Sequence, residues 1–270
     1  MKYKLLALDM DGTTLNSEKK ISANTFNAIS ELIKSGVQVV LSTGRGLAEL
    51  VDYAEELKLM SYGILISGGF VYDFKKAQPI SIHPVQENLL LELIEQGLEE
   101  KAMIHIITAY DSITNRDYLD EIKNFRMEVY EPMYRKIMTD CKDFKKFIRE
   151  NPGEVIKINL YHRSIESRQK TFERFKNSDI TFSYAEETSL EACPKNITKA
   201  SGLIELCNFL KINLSETVAV GDAPNDLEIL QTAGVAAVMG NASDEIKKIA
   251  DFVTADNDHD GVVKVIQKYF

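Results

Sequence analysis

The chain has 270 residues, 44% of them apolar and 27% charged, which suits one large globular domain or two smaller ones and excludes extended disorder. Its formal net charge of −9 argues against non-specific nucleic-acid binding, which needs a basic surface. No apolar run approaches the ~18–20 residues of a membrane span, and Asp9 interrupts the first apolar stretch too early for a secretory signal, so a cytoplasmic protein without membrane partners is expected.

In chain order, residues 5–8 are a short apolar run predicted as a strand, followed at once by Asp9 and Asp11. Ser22 is placed to cap a helix carrying Phe26, Ile29, Leu32 and Ile33 and ended by Gly36. Two further strands are predicted at 37–41 and 64–66, the first followed by Thr43 and the second by Ser67 and Gly68. The middle of the chain predicts helices over 87–100, 140–150 and 164–176, with strands at 103–107, 155–160 and 180–184. In the second of these strands Ile156, Ile158 and Leu160 share one face. The last third predicts a strand at 218–220 followed by Asp222, a helix from near Asn225 to Gly234, and a strand at 235–238 followed by Gly240. Fully apolar strands alternating with helices predict an open parallel sheet covered on both faces.

Of 14 glycines, 12 lie in residues 1–82 or 193–270, and the intervening stretch is rich in aromatic residues. That shift predicts a core of residues 1–82 and 193–270 interrupted by an inserted α/β domain, 83–192, resting over the sheet edge. The residues that follow the outer strands all fall at C-terminal strand ends, where open α/β sheets bind ligands. The inserted segment carries 16 basic and 21 acidic residues, a net −5, and offers no basic platform. Cys141, Cys193 and Cys207 form no CxxC pair, which suits a reduced compartment, and the four histidines have no zinc spacing.

Four constellations carry chemistry. In Asp9-Met10-Asp11-Gly12-Thr13 the first carboxylate can attack phosphorus, and the second can protonate a leaving oxygen and then deprotonate water. A simple turn is the competing reading. In Gly221-Asp222-Ala223-Pro224-Asn225-Asp226, Asp222 with Asp9 would suit a hard cation such as Mg²⁺, and Asp226 is either a ligand or a support; a capped helix start is the alternative. Ser42-Thr43-Gly44-Arg45 offers a hydroxyl and backbone N–H groups to phosphoryl oxygens, or is a plain loop. Arg45 either closes the cleft or is a surface charge. Lys199 heads a helix, where a cation is disfavoured unless an anion is near; composition alone favours a solvated surface lysine, and Lys195 competes for the same role. Asp256-Asn257-Asp258-His259-Asp260-Gly261 lacks the twelfth-position glutamate of a calcium loop and reads as a polar loop.

Taken together and in this order, the segments resemble the haloacid dehalogenase-like hydrolase superfamily and, within it, the Cof-type phosphatases. The resemblance implies a Rossmann-like parallel-sheet core with an inserted α/β cap domain. It implies Asp9 as nucleophile and Asp11 as acid/base. Met10, Thr43, Gly44, Lys199 and Asn225 would contact the phosphoryl group, and Asp9, Asp11, Asp222 and Asp226 would form the Mg²⁺ site. Met239-Gly240-Asn241-Ala242 and the segment around Asp251 and Asp260-Gly261 are similar to the family's ending. One departure is Ser67-Gly68-Gly69, where the family often has Asn-Gly. The implied activity is Mg²⁺-dependent hydrolysis of small phosphorylated metabolites, sugar phosphates or phosphorylated cofactors, by a monomer or small homo-oligomer. Transfer to an alcohol through the same aspartyl phosphate, or phosphometabolite binding with little turnover, are the alternatives. His105, Tyr110, Arg116, Arg126, Lys157, Asn159 and Tyr161 are the inserted segment's candidates for leaving-group contacts.

Overall fold

The computed structural model describes residues 2–270. In chain order the strands are β1 Leu5–Leu8, β2 Gln38–Ser42, β3 Tyr62–Leu65, β4 Phe70–Asp73, β5 Gln78–Ile82, β6 Met103–Thr108, β7 Ser112–Thr114, β8 Thr139–Asp140, β9 Val155–Tyr161, β10 Ile180–Ser183, β11 Ser189–Pro194, β12 Thr217–Gly221, β13 Val235–Val238 and β14 Phe252–Val253. They form two sheets in two compact units. The first unit comprises 1–44, 53–81 and 198–270; the second comprises 45–52 and 82–197.

The first unit's sheet has the order β14-β13-β12-β1-β2-β3-β4-β5. From β14 to β3 every pairing is parallel. β1, β12 and β13 are buried at every position, as strands covered on both faces must be. Chain order runs outward from β1 in both directions, so the end of β1 is a switch point at which such sheets bind ligands. The helix Ala23–Lys34 begins at Ser22, whose hydroxyl accepts from Thr25 N–H, and Gly36 leaves it at φ +93°. It packs with the helix Gly261–Tyr269. The helix Lys199–Leu210 packs on β3, β4 and the helix Leu227–Thr232, burying Ala200, Leu203, Leu206 and Cys207 against the sheet.

The second unit's sheet has the order β10-β11-β9-β6-β7-β8, antiparallel except for β7 with β8. Alternation gives it two different faces. Ile104, Ile106, Ile113, Ile158, Leu160 and Ala192 pack with Leu89, Leu93, Ile94, Phe144 and Ile148 of two helices. His105, Lys157, Asn159, Tyr161 and Glu191 occupy the opposite positions, with Asn159 registered on both His105 and Glu191.

Several expectations are corrected. β4 runs antiparallel to β3, so the first sheet is mixed at that edge rather than wholly parallel. Ile66 leaves the third strand at φ +51°. The helix expected at 140–150 is Phe144–Glu150, because Asp143 accepts from Lys146 N–H and starts it there, while Thr139–Asp140 is a strand. The helix expected from Asn225 starts with a 3₁₀ turn at Pro224–Asp226 and becomes α-helical at Leu227. Residues 45–52 group with the second unit rather than with the expected core. Glu49 is buried there within the field of Lys157, Lys136 pairs with Asp52, and Arg45 meets Met133 Sδ at 4.0 Å.

Candidate active site

The site is built at the C-terminal edge of the first sheet. Asp9 directly follows β1, and its N–H donates to Val220 O of β12 at 3.0 Å. Thr43 directly follows β2, where its N–H donates to Ile64 O at 2.9 Å. Asp222 follows β12. Lys199 is the first residue of its helix; Thr198 caps that helix, with its hydroxyl accepting from Ser201 N–H and Ser201 Oγ accepting from Thr198 N–H.

Lys199 Nζ donates to Asp9 Oδ1 and to Asp226 Oδ1, each at 2.6 Å. All three side chains are buried. Burial opposes the ammonium charge, but Asp226 and Asp9 outweigh it and hold the Lys199 pKa above its ordinary value. The cation's position at a helix N-terminus, unfavourable by itself, is thus offset by two anions. Burial, with Asp226 adding repulsion, pushes the Asp9 carboxyl well above the usual carboxylate range, against the pull of Lys199.

Asp226 is tied on both oxygens. Oδ1 takes Lys199, and Oδ2 accepts the N–H groups of Asp222 and Ala223, each at 3.1 Å. Asp222 Oδ1 accepts Thr13 Oγ1–H at 2.8 Å. Asn241 Nδ2 donates to Asp222 Oδ2 at 3.3 Å and to Gly12 O at 2.9 Å, tying the two loops together. Burial pushes the Asp222 carboxyl up to about 6 despite the Thr13 bond. Gly12 sits at φ +79°, and a Cβ there would collide with Asp222 Oδ2.

Asp9, Asp222 and Asp226 each offer an oxygen within 4.8 Å of the others. The donor set is oxygen only, three carboxylates face one ammonium, and Gly12 keeps the space beside Asp222 open; these features fit a hard divalent cation. Asp11 is not one of the three: it is partly exposed, and its Oδ1 accepts from Lys19 Nζ at 2.8 Å. Met10 is buried, its carbonyl accepting from Thr14 and Leu15 N–H. Thr43 is buried, and Gly44 and Asn225 are half-buried. Lys195 lies elsewhere, exposed and paired with Asp179. The loop at Asp256 is bonded internally, Asp256 Oδ1 taking His259 Nδ1 and Asp258 N–H, and to the segment after β1, where Asn257 Nδ2 donates to Leu15 O. Sequence reasoning assigned no role to Thr13, Lys19 or Asn241, although Thr13 and Asn241 lie within two of the family-like segments.

Among the second unit's candidates, four come together. His105 Nε2 meets Ser112 Oγ at 2.7 Å, and Asn159 Nδ2 donates to Tyr161 Oη at 3.1 Å. Lys157 Nζ pairs with Glu191 Oε2 at 3.1 Å. Burial, with Lys157 near, lowers the His105 pKa to about 3, so the ring is neutral. Tyr110, Arg116 and Arg126 are exposed, and Arg126 pairs with Glu187.

Comparison with known proteins agrees with this architecture. The chain is 29% identical over 267 residues to the 5-amino-6-(5-phospho-D-ribitylamino)uracil phosphatase YcsE of Bacillus subtilis (strain 168), covering 98% of this chain and 95% of that one. It is 28% identical over 284 residues to phosphatase YwpJ of the same organism, covering 98% and 99%. A solved haloacid dehalogenase-like hydrolase from B. subtilis superposes with a TM-score of 0.88 at 26% identity, covering 99% of this chain and 100% of that one. Fold, site and relatives define a phosphatase with a parallel-sheet α/β core and an inserted cap domain. The chain belongs to the haloacid dehalogenase-like hydrolase family, whose sequence pattern it matches over residues 6–266.

Proposed function

We propose that the protein is a Mg²⁺-dependent phosphatase of small, polar phosphorylated metabolites, working through an aspartyl phosphate on Asp9. The observation that carries this reading is the buried Asp9–Lys199–Asp226 array at the end of β1, two contacts of 2.6 Å around one ammonium. Lys199 holds Asp9 Oδ1, which leaves Oδ2 as the oxygen to attack phosphorus. Asp11 protonates the leaving oxygen and then takes a proton from water. Thr43, the backbone at Met10 and Gly44, and Asn225 hold phosphoryl oxygens, and Lys199 offsets their charge.

Asp9 and Asp222 would hold Mg²⁺, with Asp11 contributing beside them and Asp226, already tied on both oxygens, orienting the others. When bound, the ion supplies neutralisation of charge on the phosphoryl oxygens. Hydrolysis of a phosphate monoester demands up to ~10²¹-fold acceleration, so positioning and charge stabilisation must act together. The name of YcsE supports a polar leaving group.

The test is phosphate release by wild type and Asp9→Asn across sugar phosphates, phosphorylated cofactors and 5-amino-6-(5-phospho-D-ribitylamino)uracil, with Mg²⁺ and with chelator. Release that requires Mg²⁺ and vanishes in the variant is expected. Persistent release by contaminant-free Asp9→Asn overturns the covalent mechanism. Absence of release by folded wild type overturns the hydrolase.

A further inference from the structure

The turn after β3 holds two consecutive non-glycine residues in the left-handed region, Ile66 at φ +51° and Ser67 at φ +56°, followed by Gly68 at φ +97°. Such backbone is costly for residues with a Cβ and persists only where its surroundings over-determine it. Here they do. Ser67 N–H donates to Thr43 O at 3.0 Å, and Gly69 N–H closes the turn on Ile66 O at 3.0 Å. On the other side, a Cβ at Gly68 would collide with Thr198 O and lie 3.2 Å from Lys199 N. A Cβ at Gly202, one turn into the same helix, would lie 3.2 Å from Gly68 Cα. The turn is therefore wedged between Thr43, the residue that follows β2, and the first residues of the Lys199 helix.

The Ser67 hydroxyl is buried, at 8% exposure, and makes no hydrogen bond among the described residues. Buried hydroxyls are nearly always paired, and an unpaired one is destabilising. The Ser42 hydroxyl is also unpaired, but it belongs to a regular strand and carries no backbone strain. At Ser67 two unfavourable features coincide at the sheet edge between Thr43 and Lys199. Both are accounted for if the hydroxyl's partner is a ligand. Position decides which ligand: the turn bonds the backbone of Thr43 and abuts the backbone of Lys199, the two residues given above to the phosphoryl group, so an oxyanion is the partner that suits the hydroxyl.

We propose that Ser67 is a substrate-binding residue whose hydroxyl donates to a non-bridging oxygen of the phosphoryl group. This rests on the phosphatase reading above, but it also makes a claim about phosphate binding that needs no turnover. Ser67→Ala removes the donor. Ser67→Gly removes it too and relieves the positive φ, so that variant keeps the fold testable. Ser67→Asn restores a donor on a residue that tolerates the left-handed region.

The experiment measures binding of inorganic phosphate by calorimetry in the presence of Mg²⁺, and kcat/KM over several phosphate esters, with thermal midpoints as a control. The expected result is phosphate binding weakened roughly 10- to 100-fold in Ser67→Ala and Ser67→Gly, the loss of one hydrogen bond to a charged group. The same fold loss is expected in kcat/KM for every ester, with partial recovery in Ser67→Asn and a Ser67→Gly midpoint no lower than wild type. Unchanged phosphate affinity in folded Ser67→Gly overturns the proposal, and so does a loss confined to one leaving group. Wild type that binds phosphate but releases none from any ester fails the phosphatase reading while leaving the phosphate-binding claim to be decided by the variants.

Discussion

Lys199 shows how much one side chain holds together. Its ammonium stands between Asp9 and Asp226, both buried, and both would otherwise repel. Removing the cation from a buried pair costs far more than the pair itself contributes, because the partners keep their desolvation penalty. Lys199→Met is therefore expected to lower stability by about 3–5 kcal/mol in chelator, measured by urea unfolding. Lys199→Met combined with Asp226→Asn should recover part of that loss but no activity. Equal stability of wild type and Lys199→Met would mean that the array is not charged as described. Asp9 and Asp222 stand out in the sequence because each follows a predicted strand within a short motif, whereas Lys199 stands out only through the family resemblance. The Asn241 contacts with Gly12 and Asp222, and the unpaired hydroxyl of Ser67, depend on loops brought together from distant parts of the chain, and no local pattern encodes them.

At the scale of elements, β9 and β11 combine an apolar face and a polar one, and both are buried. Lys157 and Glu191 lie on adjacent strands two residues out of register, a diagonal pair on one face, since Glu191 faces Asn159. Their bridge at 3.1 Å is almost solvent-free, and Ser183 Oγ adds a bond to the same carboxylate oxygen at 3.2 Å. Lys157→Met should destabilise the protein by about 3–5 kcal/mol, because Glu191 is left charged and buried. Replacing both, Lys157→Met with Glu191→Leu, should come within about 1–2 kcal/mol of wild type, as apolar replacements of buried pairs often do. A double-mutant cycle in urea checks this, and additive losses would contradict it. The alternation that placed Ile158 and Leu160 on one face was readable at once, but the irregular pairing with β6 brings Val155 rather than Ile156 into that apolar cluster, and burial of Lys157, Asn159 and Tyr161 was not readable, since alternation alone leaves a polar face to solvent. The fully apolar strands β1, β12 and β13 were equally plain. β5 was missed because it is mostly exposed and carries no clear period. Residues 45–52 were assigned to the core by the glycine distribution, which carries no information on their grouping with the second unit, where Glu49 is buried within the field of Lys157.

Across the whole molecule, the two units carry buried titratable groups whose pKa values are displaced in opposite directions. In the first unit, burial raises the Asp222 carboxyl to about 6 from an ordinary 3.8. Between those values the folded state binds more protons than the unfolded one, so acidification in chelator stabilises this unit. In the second unit, burial lowers His162 to about 4 and His105 to about 3 from an ordinary 6.5. Here the unfolded state binds more protons below pH ~6.5, so acidification destabilises, and the effect grows toward pH ~4. Every tenfold difference in proton affinity between folded and unfolded chain is worth ~1.4 kcal/mol at full expression. Glu49, raised by its own burial, opposes the two histidines in the second unit, but it is one group against two. Hydrogen exchange at pH 7 and pH 5 in chelator, corrected for intrinsic rates, separates the units. Protection of β1 and β12 should rise or hold as pH falls, while protection of β6 and β9 declines. His162→Gln should flatten the second trend, because its buried proton-accepting ring is gone. Parallel changes in both units would show that they unfold only together, and would make the acid response a property of the chain rather than of its parts.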